Sequence, residues 1–342
     1  MKAVVMLGEG KLEVRDLPSP VPAADEVIVR IKASGMCGTD LAHLHGPARE
    51  PRQQMIEGHE PCGVVMEVGS AVRSSEAKPG DRVMVHHYDG CRTCDYCRSG
   101  WPQLCPNAKV IYGGITGHGS HAPLMKVPVH TLVRLPDELS FTAGAAIACG
   151  AGTAFSSLKR VGLTGDQTVA VFGQGPLGLS CTLFAKAMGA RVIAIDISDQ
   201  RLERAQSFGA DVLVNSAKVD PIAAIRGATR GNEGAHSSIE CSGNKLARQQ
   251  AVEAVKRLGV ACMVGAYGTM EFPVEHVIQL QKTVLGVVTF SKQMMNDCAQ
   301  YVVERGIDLD RLYTHRFSLE EADAAYAQFD QGMVGKGIFV FD

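Results

Sequence analysis

The sequence contains no run approaching the roughly 20 consecutive apolar residues that a membrane-spanning helix needs, which argues against a helical membrane protein. It also lacks an excess of charge of one sign. Lys and Arg number 34 against 36 Asp and Glu, for a formal charge of -2 with both signs scattered along the chain. That balance gives no electrostatic reason to expect nucleic acid or an anionic membrane as a partner. Fixed-period repeats, low-complexity tracts and long flexible linkers are missing, so the pattern is neither a solenoid nor a disordered scaffold. Met1 to Met6 runs straight into strand-like sequence, without the apolar core and small-residue cleavage site of a signal peptide. The expected location is therefore cytoplasmic.

What is present is a globular composition, 46% hydrophobic and 20% charged over 342 residues, a length that suits two domains. Cysteine is abundant, and its odd total of 11 in a chain read as unsecreted argues against a disulfide framework. Thiolates held by metal are the better reading.

The first part of the chain alternates short β-rich runs (26–33, 63–68, 82–85) with Gly and Pro punctuation such as Lys78-Pro79-Gly80-Asp81. Strands at that spacing suggest a compact barrel or sandwich. Near residue 150 the period changes. Strands at 168–172, 191–196 and 211–214 alternate with helices at 177–188 and 200–208, which argues for βαβ units and a parallel sheet. Further strands are expected at 238–240, 261–264, 283–289 and 337–341, with a helix at 291–306.

Cys91, Cys94, Cys97 and Cys105 form C-x2-C-x2-C-x7-C in a loop rich in Gly, Arg and Asp. Four thiolates this close can close a tetrahedron around one Zn2+ and leave no position open, which is a structural site. An iron–sulfur cluster is the alternative, since related tight spacings also hold clusters. Trp101 lies inside this lobe and reads as a packing or interface residue. The remaining cysteines, Cys62, Cys181, Cys241, Cys262 and Cys298, read as core or strand residues.

Gly173-Gln174-Gly175-Pro176-Leu177-Gly178 follows a strand and opens a helix, the context in which G-x-G-x-x-G binds a dinucleotide pyrophosphate. Asp196 ends the second strand, where a carboxylate accepts hydrogen bonds from the ribose hydroxyls and repels the 2′-phosphate of NADP. NAD is therefore the expected cofactor. Arg201 follows five positions on and could flank the adenosine, which leaves the NADP alternative open.

Three further segments are unremarkable one by one: Cys37-Gly38-Thr39-Asp40, Gly58-His59-Glu60 and Ala148-Cys149-Gly150. An isolated Cys usually packs as a small hydrophobe. In this order, with the cysteine lobe and the glycine fingerprint, they resemble the zinc-dependent medium-chain alcohol dehydrogenases over essentially the whole chain. The resemblance implies an α/β protein with a GroES-like β-rich catalytic domain (1–150), a Rossmann doubly wound cofactor domain (151–288) and a C-terminal return completing the first domain (289–342). It implies a catalytic zinc on Cys37, His59 and Cys149, with one position open for water or substrate, and Glu60 beside the metal. Thr39 would take the alcohol proton, its bland alternative being a hydroxyl that caps the helix beginning near Asp40.

This chain departs from that pattern in the outer proton relay. Many relatives place a histidine where it has Ala42, with His43 next door. Either His43 takes over or water carries the proton out. In the pocket, His87 stands where relatives often carry a large aromatic, and the segment 117–121, with His118, is also polar. Both lean toward a polyol or hydroxylated secondary alcohol, although hydrated surface histidines would look the same. The reaction expected is hydride transfer between an alcohol and NAD. Alternatives are an NADP-preferring ketone or aldehyde reductase of the same family, or a non-catalytic descendant. The apolar segment 283–289 resembles the edge strand through which relatives associate, so a homodimer or homotetramer is expected.

Overall fold

The computed structural model describes residues 1–50, 55–111, 118–266, 268–332 and 335–342. Two units are present, residues 1–152 with 290–342, and residues 153–289.

The first stretch contains the strands β1 (Lys2–Gly8), β2 (Lys11–Asp16) and β3 (Glu26–Gly35), then helix α1 (Gly38–Leu44). Next come β4 (Pro61–Val68), β5 (Arg82–Val85), β6 (Tyr88–Asp89), α2 (Asp95–Arg98) and β7 (Lys109–Val110). β8 (Leu124–Pro128), β9 (Leu132–Arg134), α3 (Phe141–Ala148) and α4 (Gly150–Arg160) follow. The second unit runs β10 (Thr168–Phe172), α5 (Pro176–Ala187), β11 (Arg191–Asp196), α6 (Asp199–Ser207), β12 (Val212–Asn215) and α7 (Pro221–Gly227). It continues with β13 (Ala235–Glu240), α8 (Lys245–Ala254), β14 (Val255–Met263), α9 (Glu275–Ile278) and β15 (Thr283–Gly286). The return to the first unit supplies α10 (Lys292–Arg305), β16 (Tyr313–Phe317), α11 (Ala322–Asp330) and β17 (Lys336–Val340).

The first unit is built on a largely antiparallel sheet ordered β16-β17-β3-β4-β5-β9, with β8 also paired to β3. Val27, Val29 and Ile31 of β3 alternate toward one core and meet Val65, Val83, Val85, Met125 and Val127 from its neighbours. Each such side chain contributes about 1.5–3 kcal/mol when removed from water. Two features of register matter for the site. Ser34 pairs with Pro61, and Gly35 pairs with Ile338. The exit of β3, the entry of β4 and the start of β17 therefore share one end of the sheet.

The second unit holds a parallel sheet ordered β12-β11-β10-β13-β14-β15. The order reverses between β10 and β13, the switch point at which open α/β sheets bind ligands. β10 and β11 are apolar and buried along nearly their whole length, as strands covered on both faces must be. This is the GroES-like and Rossmann pairing anticipated from the sequence. β15 ends at Gly286, short of the strand expected over 283–289; the Val287 amide still bonds Met263 O, and Thr289 then takes φ +51. Among the described residues no single helix is long and apolar enough to cross a membrane.

Candidate active site

The end of the first unit's sheet gathers four donors. Cys37 lies just past β3, His59 and Glu60 just before β4, and Cys149 at the break between α3 and α4. Ligand atoms of all four lie within 4.8 Å of one another. Antiparallel pairing of β3 with β4 explains why segments distant in sequence meet, and the Gly35 amide hydrogen-bonds Glu60 O at 3.3 Å. Cys149 sits at φ −141, ψ −87, so the helix stops there and the chain turns.

Asp40 organises the donors. Its Oδ2 accepts the Cys37 amide at 2.8 Å, and its Oδ1 lies 2.9 Å from His59 Nδ1. A carboxylate on one ring nitrogen fixes the tautomer and leaves the other nitrogen's lone pair for a metal. The amide contact also corrects the expected bland role of Thr39. The side chain serving the start of α1 is Asp40, and Thr39 lies inside the helix, its Oγ1 3.9 Å from Cys37 Sγ.

The charges are consistent with a cation site. A hydrogen bond from Cys149 holds the Cys37 thiol well below its ordinary range, helped by His59 and Lys336, and the same pairing pushes Cys149 well above it. Burial pulls His59 down, but Asp40 and Cys37 together push it well above the usual imidazole value. Burial raises Glu60 to about 7 against the pull of Lys336. Two thiols, an imidazole and a carboxylate so arranged form a donor set of the kind that suits zinc.

Sequence reasoning missed Lys336. It is buried, and its Nζ bonds Glu60 Oε1 at 2.6 Å and Met36 O at 2.9 Å. Nothing local to residue 336 marks it. Only the pairing of β17 with β3 carries it there. It also missed Glu57, fully buried, whose Oε1 lies 2.9 Å from His43 Nδ1, with Arg49 3.7 Å from the other oxygen. Thr39 and His43 are four apart on α1 and share a helix face.

His87 is buried beside the donors, its ring centroid 5.5 Å from that of His59 and 6.2 Å from that of Phe290. Burial holds it well below the usual imidazole value, so it is neutral. His118 Nδ1 accepts the Ile56 amide at 3.2 Å. Gly117 lies outside the described residues.

Gly58 is forced to be glycine. It takes φ +97, and a Cβ there would fall 2.4 Å from His121 Nδ1. Gly58→Ala should destabilise the first unit by on the order of 3 kcal/mol, measured by urea unfolding. A loss below about 0.5 kcal/mol would contradict this packing.

The cysteine lobe lies between β6 and β7, which pair antiparallel. The sulfurs of Cys91, Cys94, Cys97 and Cys105 lie within 4.8 Å of one another. Amides of Cys91 and Asn107 point at Cys105 Sγ, and that of Cys94 at Cys91 Sγ, each at 3.4 Å. A hydrogen bond from Thr93 pulls Cys91 down to about 5. Amide-supported thiolates suit a closed tetrahedral metal site. Trp101 is half-buried beside the lobe. Of the other cysteines, Cys62, Cys181, Cys262 and Cys298 are buried, and Cys241 is half-buried.

In the second unit, Gly173 takes φ +85, and a Cβ on Gly178 would fall 1.8 Å from Gly173 O. These two glycines therefore serve the turn and the close helix–strand packing. A Cβ on Gly175 would meet nothing within 4 Å, the open space a pyrophosphate requires at the helix start. Pro176 opens α5 and Leu177 follows it. Asp196 accepts the Gln174 amide at 2.6 Å and the Ser198 amide at 3.0 Å, leaving a lone pair on each oxygen. Arg201 lies in the first turn of α6.

Residues 23–137 match the family model for the alcohol dehydrogenase GroES-like domain, and residues 176–304 that for zinc-binding dehydrogenases. An alcohol dehydrogenase of Geobacillus stearothermophilus is 33% identical, the alignment covering 98% of this chain and 97% of that protein. Sorbitol dehydrogenase of Macaca fascicularis is 30% identical over 97% of this chain and 93% of its own. The solved structure of the alcohol dehydrogenase TADH from Thermus sp. ATN1 superposes with a TM-score of 0.92 at 29% identity, covering 99% of both chains.

Proposed function

Because the chain belongs to the zinc-dependent medium-chain alcohol dehydrogenase family, we propose that it oxidises a hydroxylated secondary alcohol or polyol with NAD. The observation that carries this reading is the convergence of Cys37, His59, Glu60 and Cys149 within 4.8 Å. Cys37, His59 and Cys149 would hold a catalytic zinc, and Cys91, Cys94, Cys97 and Cys105 a structural one. When bound, the zinc supplies a Lewis acid to the substrate oxygen and the nicotinamide supplies the hydride acceptor.

The chain's own residues do the rest. Asp40 holds His59 in one tautomer. Lys336, from the start of β17, neutralises Glu60 and also bonds Met36 O just past β3, while Glu60 Oε2 stays without a hydrogen-bond partner among the described residues. Thr39 takes the alcohol proton at Oγ1. His43, steered by Glu57 through Nδ1, moves that proton to solvent. His43→Asn should lower kcat about tenfold, the low end for proton-transfer groups, and added imidazole should restore it. An unchanged kcat assigns the outer step to water instead.

Gly173, Gly175, Pro176, Leu177 and Gly178 form the pyrophosphate turn, Asp196 receives the ribose hydroxyls, and Arg201 flanks the adenosine. The substrate lean rests on His87, a neutral buried imidazole that hydrogen-bonds a second hydroxyl. His118, engaged through Nδ1, adds a polar group only through its other nitrogen. We place the enzyme in the cytoplasm and read it as a homodimer or homotetramer. The support for association is β15, an edge strand with Val288 exposed just beyond it. Light scattering on the purified protein tests that.

The function is tested by following reduction of NAD and, separately, NADP by zinc-loaded protein with primary alcohols, secondary alcohols and polyols. NAD with a secondary or poly-hydroxylated substrate is expected. Preference for NADP, or for simple primary alcohols, would overturn the cofactor or the pocket assignment respectively.

A further inference from the structure

Behind Asp40, away from the four donors, the first unit buries a second set of polar side chains that the reaction does not use. Ser34 Oγ lies 2.6 Å from Ser120 Oγ and 2.7 Å from His121 Nδ1. His121 Nε2 lies 2.7 Å from the Tyr326 hydroxyl and 3.9 Å from Asp40 Oδ2. The Tyr326 hydroxyl lies close enough to the Asp40 carboxylate that burial, with that charge, holds the phenol well above its ordinary range. Ser34, Ser120 and His121 are 0% exposed and Tyr326 1%. They come from β3, from the segment before β8, and from α11.

The direction of every bond follows from the end of the row. An ionised carboxylate only accepts, so the Tyr326 O–H turns toward Asp40. Its oxygen then accepts from His121 Nε2–H. The neutral ring has one N–H, so Nδ1 accepts, and Ser34 donates to it. Ser34 oxygen accepts from Ser120. Each group thus has one consistent role, and all bonds point at Asp40. Burial supports the neutral ring, pulling His121 down to about 4. Phe339 meets the ring edge-on at 4.7 Å between centroids, and Gly58 leaves it room on the side of His59.

We propose that Tyr326 and His121 are positioning residues that aim Asp40 at His59 Nδ1, with Ser34 and Ser120 fixing the tautomer of His121. This rests on the proposed role of His59 as a zinc ligand. Asp40 accepts the Cys37 amide, lies 2.9 Å from His59 Nδ1 and faces the Tyr326 hydroxyl. Removing Tyr326 O–H frees the carboxylate to turn, and His59 loses its fixed tautomer. Outer-shell partners of this kind are worth 10–100-fold in metal affinity. Tyr326 acts one step further out, so the lower end is expected.

The test measures zinc loss to a chelator and the visible spectrum of cobalt-substituted protein, for the wild type, Tyr326→Phe, Ser34→Ala and Ser120→Ala. Wild type must first hold two metals, one in each thiol-containing site. A wild type that binds only at the four-cysteine lobe defeats the underlying reading and the inference with it. If the wild type binds both, Tyr326→Phe is expected to release the Cys37–His59–Cys149 metal about tenfold faster and to shift the cobalt bands of that site. The lobe metal should be unaffected. Ser34→Ala removes little volume and keeps the test decisive if Tyr326→Phe does not fold. Its expected effect is two- to fivefold, and that of Ser120→Ala is below twofold. A merely structural network would lower the unfolding temperature of these variants and leave chelation and cobalt bands at wild-type values. That result overturns the inference while the reading of the site stands.

Discussion

His59→Ala is expected to lower turnover by at least about 10^3-fold and the zinc content from two ions per chain to one. The magnitude follows from what the residue does twice. It supplies the only neutral donor among the proposed ligands, and it balances Asp40, which is 0% exposed. With His59 gone, Asp40 keeps the Cys37 amide and loses its imidazole partner, a cost of about 1–3 kcal/mol. The remaining thiols cannot make a three-ligand site with a defined open position. Metal-assisted polarisation of the substrate oxygen contributes several kcal/mol of barrier reduction, and each ~1.4 kcal/mol is a factor of ten. The lobe zinc should survive, because its four sulfurs and their amide donors lie in a separate loop. Metal analysis beside steady-state kinetics checks this. A variant that kept two zinc ions and near-normal turnover would show that His59 is no ligand.

Asp196→Asn is expected to narrow the proposed preference for NAD over NADP by roughly 10- to 100-fold, which is about 1.4–2.8 kcal/mol. Asn has the shape of Asp and still presents one oxygen to the Gln174 or Ser198 amide, so the turn should keep its form. What it loses is the negative charge, which strengthens bonds to the ribose hydroxyls and opposes a 2′-phosphate. Hydrogen bonds to a charged acceptor are worth about 1.5–3 kcal/mol where neutral ones give about half that. Arg201, in the first turn of α6, would then meet the added phosphate without a competing carboxylate. kcat/KM with each cofactor measures the change. An unaltered ratio would mean that Asp196 serves the turn alone.

Much of this architecture was legible in the sequence because its signals are local. β10, β5 and β11 were read to the residue, since short apolar runs bounded by Gly and turn residues have little else to be. α3 was invisible for the opposite reason. Phe141 to Ala148 is buried nearly all round, and a helix without a polar face has no period to detect. Of the site, the residues within motifs could be named, and what surrounds them could not. Lys336 reaches Glu60 from a strand at the far end of the chain. Tyr326 and His121 meet through a 205-residue separation. Asp40 stands within the motif, but a carboxylate three residues past a cysteine does not announce which ring it will face.

The most direct measurement is turnover of NAD with a secondary alcohol on protein holding two zinc ions, repeated after a small chelator has removed one and again after zinc is returned. The account predicts that turnover disappears with the zinc of Cys37, His59 and Cys149 and reappears when it is restored, while the lobe ion stays bound throughout. Turnover that persists after that ion has left would contradict it.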